Sequence, residues 1–167
     1  MTELEVFRAE KDRFFASDPH SPLQFDQKRG FKGLKYFPEN PDLRFEAIVQ
    51  KYPHQEPIQI QTTTGDFQEY IRYGKFVFGV DEKEAGLTIY VDSNNYFLPF
   101  VDALAATQTY GAGRYLEPIP LGEDKFLIDF NYAYNPYCAY NENWSCPLTP
   151  VENRLRVAIM AGEKIFH

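Results

Sequence analysis

The sequence predicts a mainly β (α+β) fold, an antiparallel β-barrel or sandwich with an N-terminal amphipathic helix and a long ordered C-terminal loop. Three observations predict it. The chain carries 15 Phe, 12 Tyr and 12 Pro against 2 Met, a composition of pleated aromatic surfaces and turns rather than of helices. From Leu43 onward, short runs rich in β-branched and aromatic residues are bounded by Gly, Pro, Asp or Asn. No amphipathic segment of the length a parallel crossover needs separates them, so neighbouring strands are expected to pair antiparallel.

The elements follow in chain order. Residues 2–16 set Leu4, Phe7, Phe14 and Phe15 among Glu, Arg and Lys at helical spacing, and Thr2 and Glu5 form a Thr-x-x-Glu capping box. Pro19 and Pro22 end that helix, and 26–34 reads as at most a short helix stopped by Gly33. The strand runs are LRFEAIVQKY (43–52), PIQIQT (57–62), QEYIRYGKFVFGV (68–80), GLTIYV (86–91), GRYLEPI (113–119), KFLIDF (125–130) and LRVAIM (155–160). Asn94 to Thr109 reads as a long connection with a helical turn around ALAA. The short polar links DEKEAG after Val80 and PLGED after Ile119 contain glycine, as hairpins require. Length reads as a single domain, 1–167, with a core that folds without disulfides or metal.

Charge narrows the function classes. The formal net charge is −7, and the 17 Lys and Arg are scattered, so no basic stripe exists for nucleic acid. The N-terminal stretch has acidic residues where a signal peptide is basic, and no run approaches a membrane span, so the expectation is a cytoplasmic protein that does not enter the membrane.

The run KFLIDF sorts Phe126, Ile128 and Phe130 onto a core face and Leu127, Asp129 and Asn131 onto the other, ending in a carboxylate and an amide. These either line a ligand site or cap the next turn. The following stretch has Asn-Pro, Cys-Pro and Thr-Pro steps and five bulky amphipathic rings, Tyr132, Tyr134, Tyr137, Tyr140 and Trp144, which implies an ordered, packed loop. Cys138 and Cys146 are seven residues apart, a spacing of neither a redox C-x-x-C nor a zinc site, and His20, His54 and His167 are distant in sequence, so no metal site is expected. Reduced, packed thiols are the expected state of both cysteines, with redox pairing as a further reading. Arg114 opens an aromatic strand and calls for a partner among Asp102, Asp129 and Glu152.

The segments FRAEKDRFFASDPHSPL, FKGLKYFPENPDLRF, YFLPFVDALAATQTYGAGRYLE and DFNYAYNPYCAYNENWSCPLTPVENRLRVAIMAGEK together resemble a bacterial and archaeal family catalogued as domain of unknown function 1684. The resemblance implies a shared structure and carries over no activity, cofactor or catalytic residue. At Ala105 and Ala106 the chain departs from the small polar residue and glycine that the resemblance implies after Asp102.

The leading expectation is a small polar or anionic molecule bound beneath the 131–153 loop by Arg114, Asp129, Asn131, Tyr134, Asn135, Cys138, Glu152 and Asn153. Read as an enzyme, the protein is a hydrolase with Asp129 or Glu152 as general base. The alternative is a non-enzymatic structural or interaction domain, acting through its surface or as a homodimer, whose loop is a structural clasp. No cofactor is assigned.

Overall fold

The computed structural model describes residues 1–167. Helix α1 spans Glu3–Ser17, and its capping box forms as read: Glu5 N–H donates to Thr2 Oγ1 at 3.1 Å and Thr2 N–H to Glu5 Oε2 at 3.2 Å. Helix α1 fully buries only Leu4 and Phe15, so much of its apolar stripe stays partly open. Helix α2 is the short Phe25–Arg29, closed at Gly30 rather than Gly33.

Nine strands follow: β1 Arg44–Ile48, β2 Gln50–Lys51, β3 Pro57–Gln61, β4 Phe67–Val80, β5 Lys83–Asp92, β6 Asn95–Phe100, β7 Arg114–Leu116, β8 Ile119–Gly122 and β9 Lys125–Asp129. They form two antiparallel sheets, β1-β9-β8 and β2-β4-β5-β6-β7, with β3 also on β4. The run 43–52 feeds both sheets, because β1 pairs β9 while β2 pairs β4. Gly74 makes that corner, since a Cβ there would stand 2.7 Å from Gln50 O.

The barrel alternative is not realised. Strands β7 and β8 are separated by only Glu117 and Pro118, yet β7 pairs β6 and β8 pairs β9. Pro118 and Pro120 supply no N–H at this junction, so the ladder that would carry one sheet into the next cannot run through it. The sheets instead share one core, in which Phe76, Phe78, Leu87, Ile128 and Phe130 pack together. Alternation along β4, with Phe76, Phe78 and Val80 inward and Lys75, Val77 and Gly79 outward, decides which face meets it.

Two further expectations are corrected. Residues 95–100 are a strand, not part of a long connection, and 102–109 turns back through hydrogen bonds from Thr107, Gln108 and Thr109 N–H to Leu104 O without forming a helix. Pro99 hides this strand from a sequence reading, and a side chain repairs the gap. The β5–β6 ladder stops at Tyr90↔Phe97, and beyond it Asn153 Nδ2 donates to Thr88 O and Pro99 O at 2.8 Å while Thr88 N–H donates to Asn153 Oδ1 at 2.8 Å. Residues 155–160 are not a strand, because other groups take their backbone. Asp102 Oδ2 accepts from Ile159 N–H, Arg114 Nη2 donates to Ile159 O, and Val157 O accepts from Ala103 N–H.

The hairpins turn on two-residue pairs with positive φ, Asp81-Glu82, Ser93-Asn94 and Glu123-Asp124; Gly122 of the PLGED link joins the last of these at φ +96°, while the glycine of DEKEAG lies in β5 outside its turn. Ala106 also has φ +69°, at the position where the family resemblance implies a glycine. Ala106→Gly is expected to raise stability by about 0.5–1 kcal/mol, because the left-handed region costs alanine more than glycine. A shift of the urea midpoint upward at constant slope checks it.

Candidate functional site

Strand β9 delivers Asp129 and Asn131 to the start of the loop, and both are used locally. Asp129 Oδ1 accepts from Asn131 N–H at 3.0 Å and from Asn131 Nδ2 at 2.9 Å, capping a 3-10 turn over Phe130–Tyr132. Its Oδ2 lies 3.8 Å from Arg44 Nε. Asn131 ties the loop to residue 40, accepting from Asn40 N–H at 2.8 Å and donating to Asn40 O at 2.9 Å. Asn135 Nδ2 donates to Lys164 O at 3.0 Å.

Arg114 is 1 % exposed. Of its three expected partners Asp102 is the one present, 3.6 Å from Nη2 and equally enclosed. Nη1 donates to Ala161 O at 2.5 Å and Glu163 O at 3.1 Å, Nη2 donates to Ile159 O at 2.9 Å, and the guanidinium lies over Phe100. Burial pulls Arg114 down to about 10, against the upward pull of Asp102 and Glu163, so it stays charged at neutral pH. This is a tail-locking ion pair, and its donors face the chain itself.

Glu152 stands with different partners. Arg72 grips it with Nε to Oε1 at 3.0 Å and Nη2 to Oε2 at 2.7 Å, Tyr90 O–H donates to Oε1 at 2.5 Å, and Tyr52 stacks on the guanidinium at 4.3 Å. The Arg72 pair holds the Glu152 carboxyl below its ordinary value. Asp129 and Glu152 are therefore each engaged by a separate arginine, Arg44 and Arg72, and do not form a carboxylate pair.

A second buried hub escaped the sequence reading. Glu163 Oε2 accepts from Lys11 Nζ at 2.5 Å and Asn135 N–H at 3.3 Å, and Oε1 accepts from Tyr140 O–H at 2.5 Å. It joins α1, the loop and the C-terminal tail. Lys11 stands four residues from both Phe7 and Phe15, a charge inside the apolar stripe of α1, and that was the signal available in the sequence.

Over this hub runs an open groove of about 620 Å³ between α1 and the loop, lined by Phe7, Phe14 and Phe15 on one side and Tyr134 and Tyr137 on the other. Glu10, Lys11 and Glu117 are its charged groups. Tyr134 O–H donates to Glu117 Oε1 at 3.0 Å, and burial, then Glu117, pushes the Tyr134 phenol up. Lys11 Nζ sits 5.1 Å from the Tyr134 ring centre and 5.6 Å from that of Phe15. Of the eight expected ligand residues, Tyr134 lines this groove and Asp129 a smaller one of about 340 Å³ beside Tyr132 and Arg44. Arg114, Asn131, Asn135 and Asn153 are buried among protein partners, so the eight do not converge on one pocket. A larger concavity of about 670 Å³ lies at the β5–β6 turn, lined by Asp92, Asn94, Asn95 and Tyr96 and bounded again by Glu117.

Cys138 and Cys146 are both free, Cys138 half-buried and Cys146 buried. Cys138 N–H donates to Cys146 Sγ at 3.3 Å, and Tyr110 O–H points to Cys138 Sγ at 3.7 Å. No three His, Cys, Asp or Glu side chains cluster as a metal site requires, and no helix is long and apolar enough to cross a membrane.

No curated protein matches the chain. Among solved structures it is similar to an uncharacterised protein of Haloarcula marismortui determined by solution NMR, with 36% identity over 97% of this chain and 92% of that one, at a TM-score of 0.74. The family model described as a protein of unknown function, DUF1684, matches residues 29–164, and the chain belongs to that family.

Proposed function

We propose that the protein binds a small organic molecule in the groove between α1 and Tyr134–Tyr137, as a binding protein rather than a hydrolase. The observation that carries this reading is Glu117, a carboxylate oriented by Tyr134 O–H at the edge of an aromatic-walled groove. Aromatic walls with a few fixed polar groups are the composition of small-molecule sites, and the volume falls within their range.

The charges select the ligand. The expectation of an anionic ligand rested on Arg114, whose donors are taken by Ile159, Ala161 and Glu163. Lys11 is paired with Glu163, which leaves Glu10 and Glu117 as the unneutralised groups of the groove. A neutral or cationic molecule with a flat apolar body suits carboxylates and ring faces together. Asp129 and Glu152, the candidate general bases, are engaged by Arg44 and Arg72, which favours binding over hydrolysis.

Thermal-shift and calorimetric titrations test it at low salt, with benzyltrimethylammonium and tyramine against benzoate and phenyl phosphate. The amines are expected to raise the melting temperature and the anions to leave it unchanged. Glu117→Gln is expected to weaken amine binding about tenfold, the size of one partly desolvated charge contact. Equal response to anions and amines, or affinity unmoved by both Glu117→Gln and Phe14→Ala, overturns the reading.

A further inference from the structure

We propose that Cys138 and Cys146 form a reversible two-electron redox site, in which Cys138 attacks a hydroperoxide and Cys146 resolves the product as an intramolecular disulfide. The pair is independent of the groove reading. Its geometry differentiates the two sulfurs. Cys146 is 6 % exposed and fixed at both backbone ends: its N–H donates to Thr63 Oγ1 at 3.1 Å and its O accepts from Thr63 N–H at 2.9 Å. Thr62 and Pro147 bridge beside it, so the second sulfur is held by the β3–β4 connection rather than by its own loop. Cys138 is half-buried and open to a small oxidant.

Contact between the residues is already made. Cys138 N–H donates to Cys146 Sγ at 3.3 Å, so the second sulfur already rests against the backbone of the first residue, and a disulfide asks for Cα atoms about 4.4–6.8 Å apart. The Cys146 thiol, and after it Tyr110 O–H, draw the Cys138 thiol below its ordinary value against the upward pull of burial. The same thiol contact, with burial, pushes Cys146 up and keeps it protonated until it is needed. An attacking thiolate beside a protonated partner is the arrangement the chemistry requires.

The steps balance. Cys138 thiolate attacks the terminal oxygen of ROOH, the S–O bond forms and the O–O bond breaks. RO⁻ leaves and takes a proton as ROH, and the sulfur is oxidised by two electrons to the sulfenic acid. Cys146 sulfur then attacks that sulfur, the S–S bond forms, the S–O bond breaks, and water leaves with the Cys146 proton. Two thiols and one hydroperoxide give one disulfide, one alcohol and one water, and a dithiol reductant restores the pair.

The reduced folded protein is treated with one equivalent of hydrogen peroxide, and intact mass and peptide mapping are read. The expected product is a Cys138–Cys146 disulfide lighter by about 2 Da and reversed by dithiothreitol. With Cys146→Ser, oxidation is expected to stop at a Cys138 sulfenic acid that dimedone traps. In the unmodified protein, which needs no variant to fold, iodoacetamide is expected to alkylate Cys138 at least about tenfold faster than Cys146 at neutral pH. A disulfide that forms only between molecules or only in denaturant, no disulfide at all, or Cys146 reacting as fast as Cys138, overturns the proposal.

Discussion

Replacing Arg114 by alanine lowers the unfolding free energy by about 3–5 kcal/mol, the cost of breaking a buried ion pair by removing one partner. The magnitude follows from what is stranded. Asp102 keeps Thr109 O–H and Ile159 N–H but loses its only cation, and the carbonyls of Ile159, Ala161 and Glu163 lose their donors in a buried site. Each orphaned group costs about 1–3 kcal/mol, partly relieved by water reaching the space the side chain leaves. Arg114→Lys is expected to recover less than half, because one ammonium cannot span three carbonyls that a planar fork reaches at once. Equilibrium urea unfolding measures both. Arg114→Met combined with Asp102→Leu is expected to be more stable than Arg114→Ala alone, since removing both charges removes the uncompensated one. A loss under about 1 kcal/mol for Arg114→Ala would mean the tail is held by something other than this pair.

Strands announced by alternation were legible in the sequence, and the links that close the fold through side chains were not. The core face Phe126, Ile128 and Phe130 and the inward set of β4 obey a period of two that one strand displays by itself. The α1 capping box is likewise local. Strand β6 hides behind Pro99, because the N–H it lacks is replaced on Thr88 O by Asn153 Nδ2, distant in sequence. Residues 155–160 have strand composition but no ladder, because Arg114 and Asp102 take the groups a neighbouring strand would have taken. At the loop, residue types alone did not reveal which partners the polar side chains take. Asn131 and Asn153 look like ligand amides and are spent on Asn40, Thr88 and Pro99, while Asn135 gives its Nδ2 to Lys164 O and keeps a buried Oδ1 without a partner. Composition cannot distinguish an amide that faces a ligand from one that faces a carbonyl, since both satisfy the same donors.

The groove and the Lys11–Glu163 pair have a common cause. Phe7 and Phe14 are left partly open because Lys11, between Phe7 and the Phe14–Phe15 pair on the same stripe, is drawn to Glu163 rather than to solvent. The Lys11–Glu163 pair, beside the Arg8 and Asp12 hydrogen bonds that also seat α1, leaves concave space next to it, and Tyr134 and Tyr137 form the far wall. The position of Glu163, and with it the seat of α1, depends on the preceding residue.

That residue is Gly162, and Gly162→Ala is expected to cost about 2–4 kcal/mol, from strain in the left-handed region together with overpacking. Its φ is +79°, and a Cβ would stand 2.7 Å from Ala133 O and 2.8 Å from Phe130 O, backbone atoms that cannot rotate away. Gly65 is the control, since its φ of +89° is similar but a Cβ there meets open space. Gly65→Ala carries only the conformational cost, about 1 kcal/mol. The difference between the two alanine variants therefore isolates the steric contribution at residue 162. Relief of the clash must displace the tail, because Gly162 O accepts from Phe37 N–H at 2.9 Å and Glu163 N–H donates to Ala133 O at 3.0 Å. Displacement at that point carries the Glu163 carboxylate off Lys11 and Tyr140, so native-state proteolysis is expected to cut near α1 sooner in Gly162→Ala than in Gly65→Ala. Equal losses of stability and equal cleavage in the two variants would show that conformation alone, and not the contact with 130–133, sets the requirement for glycine.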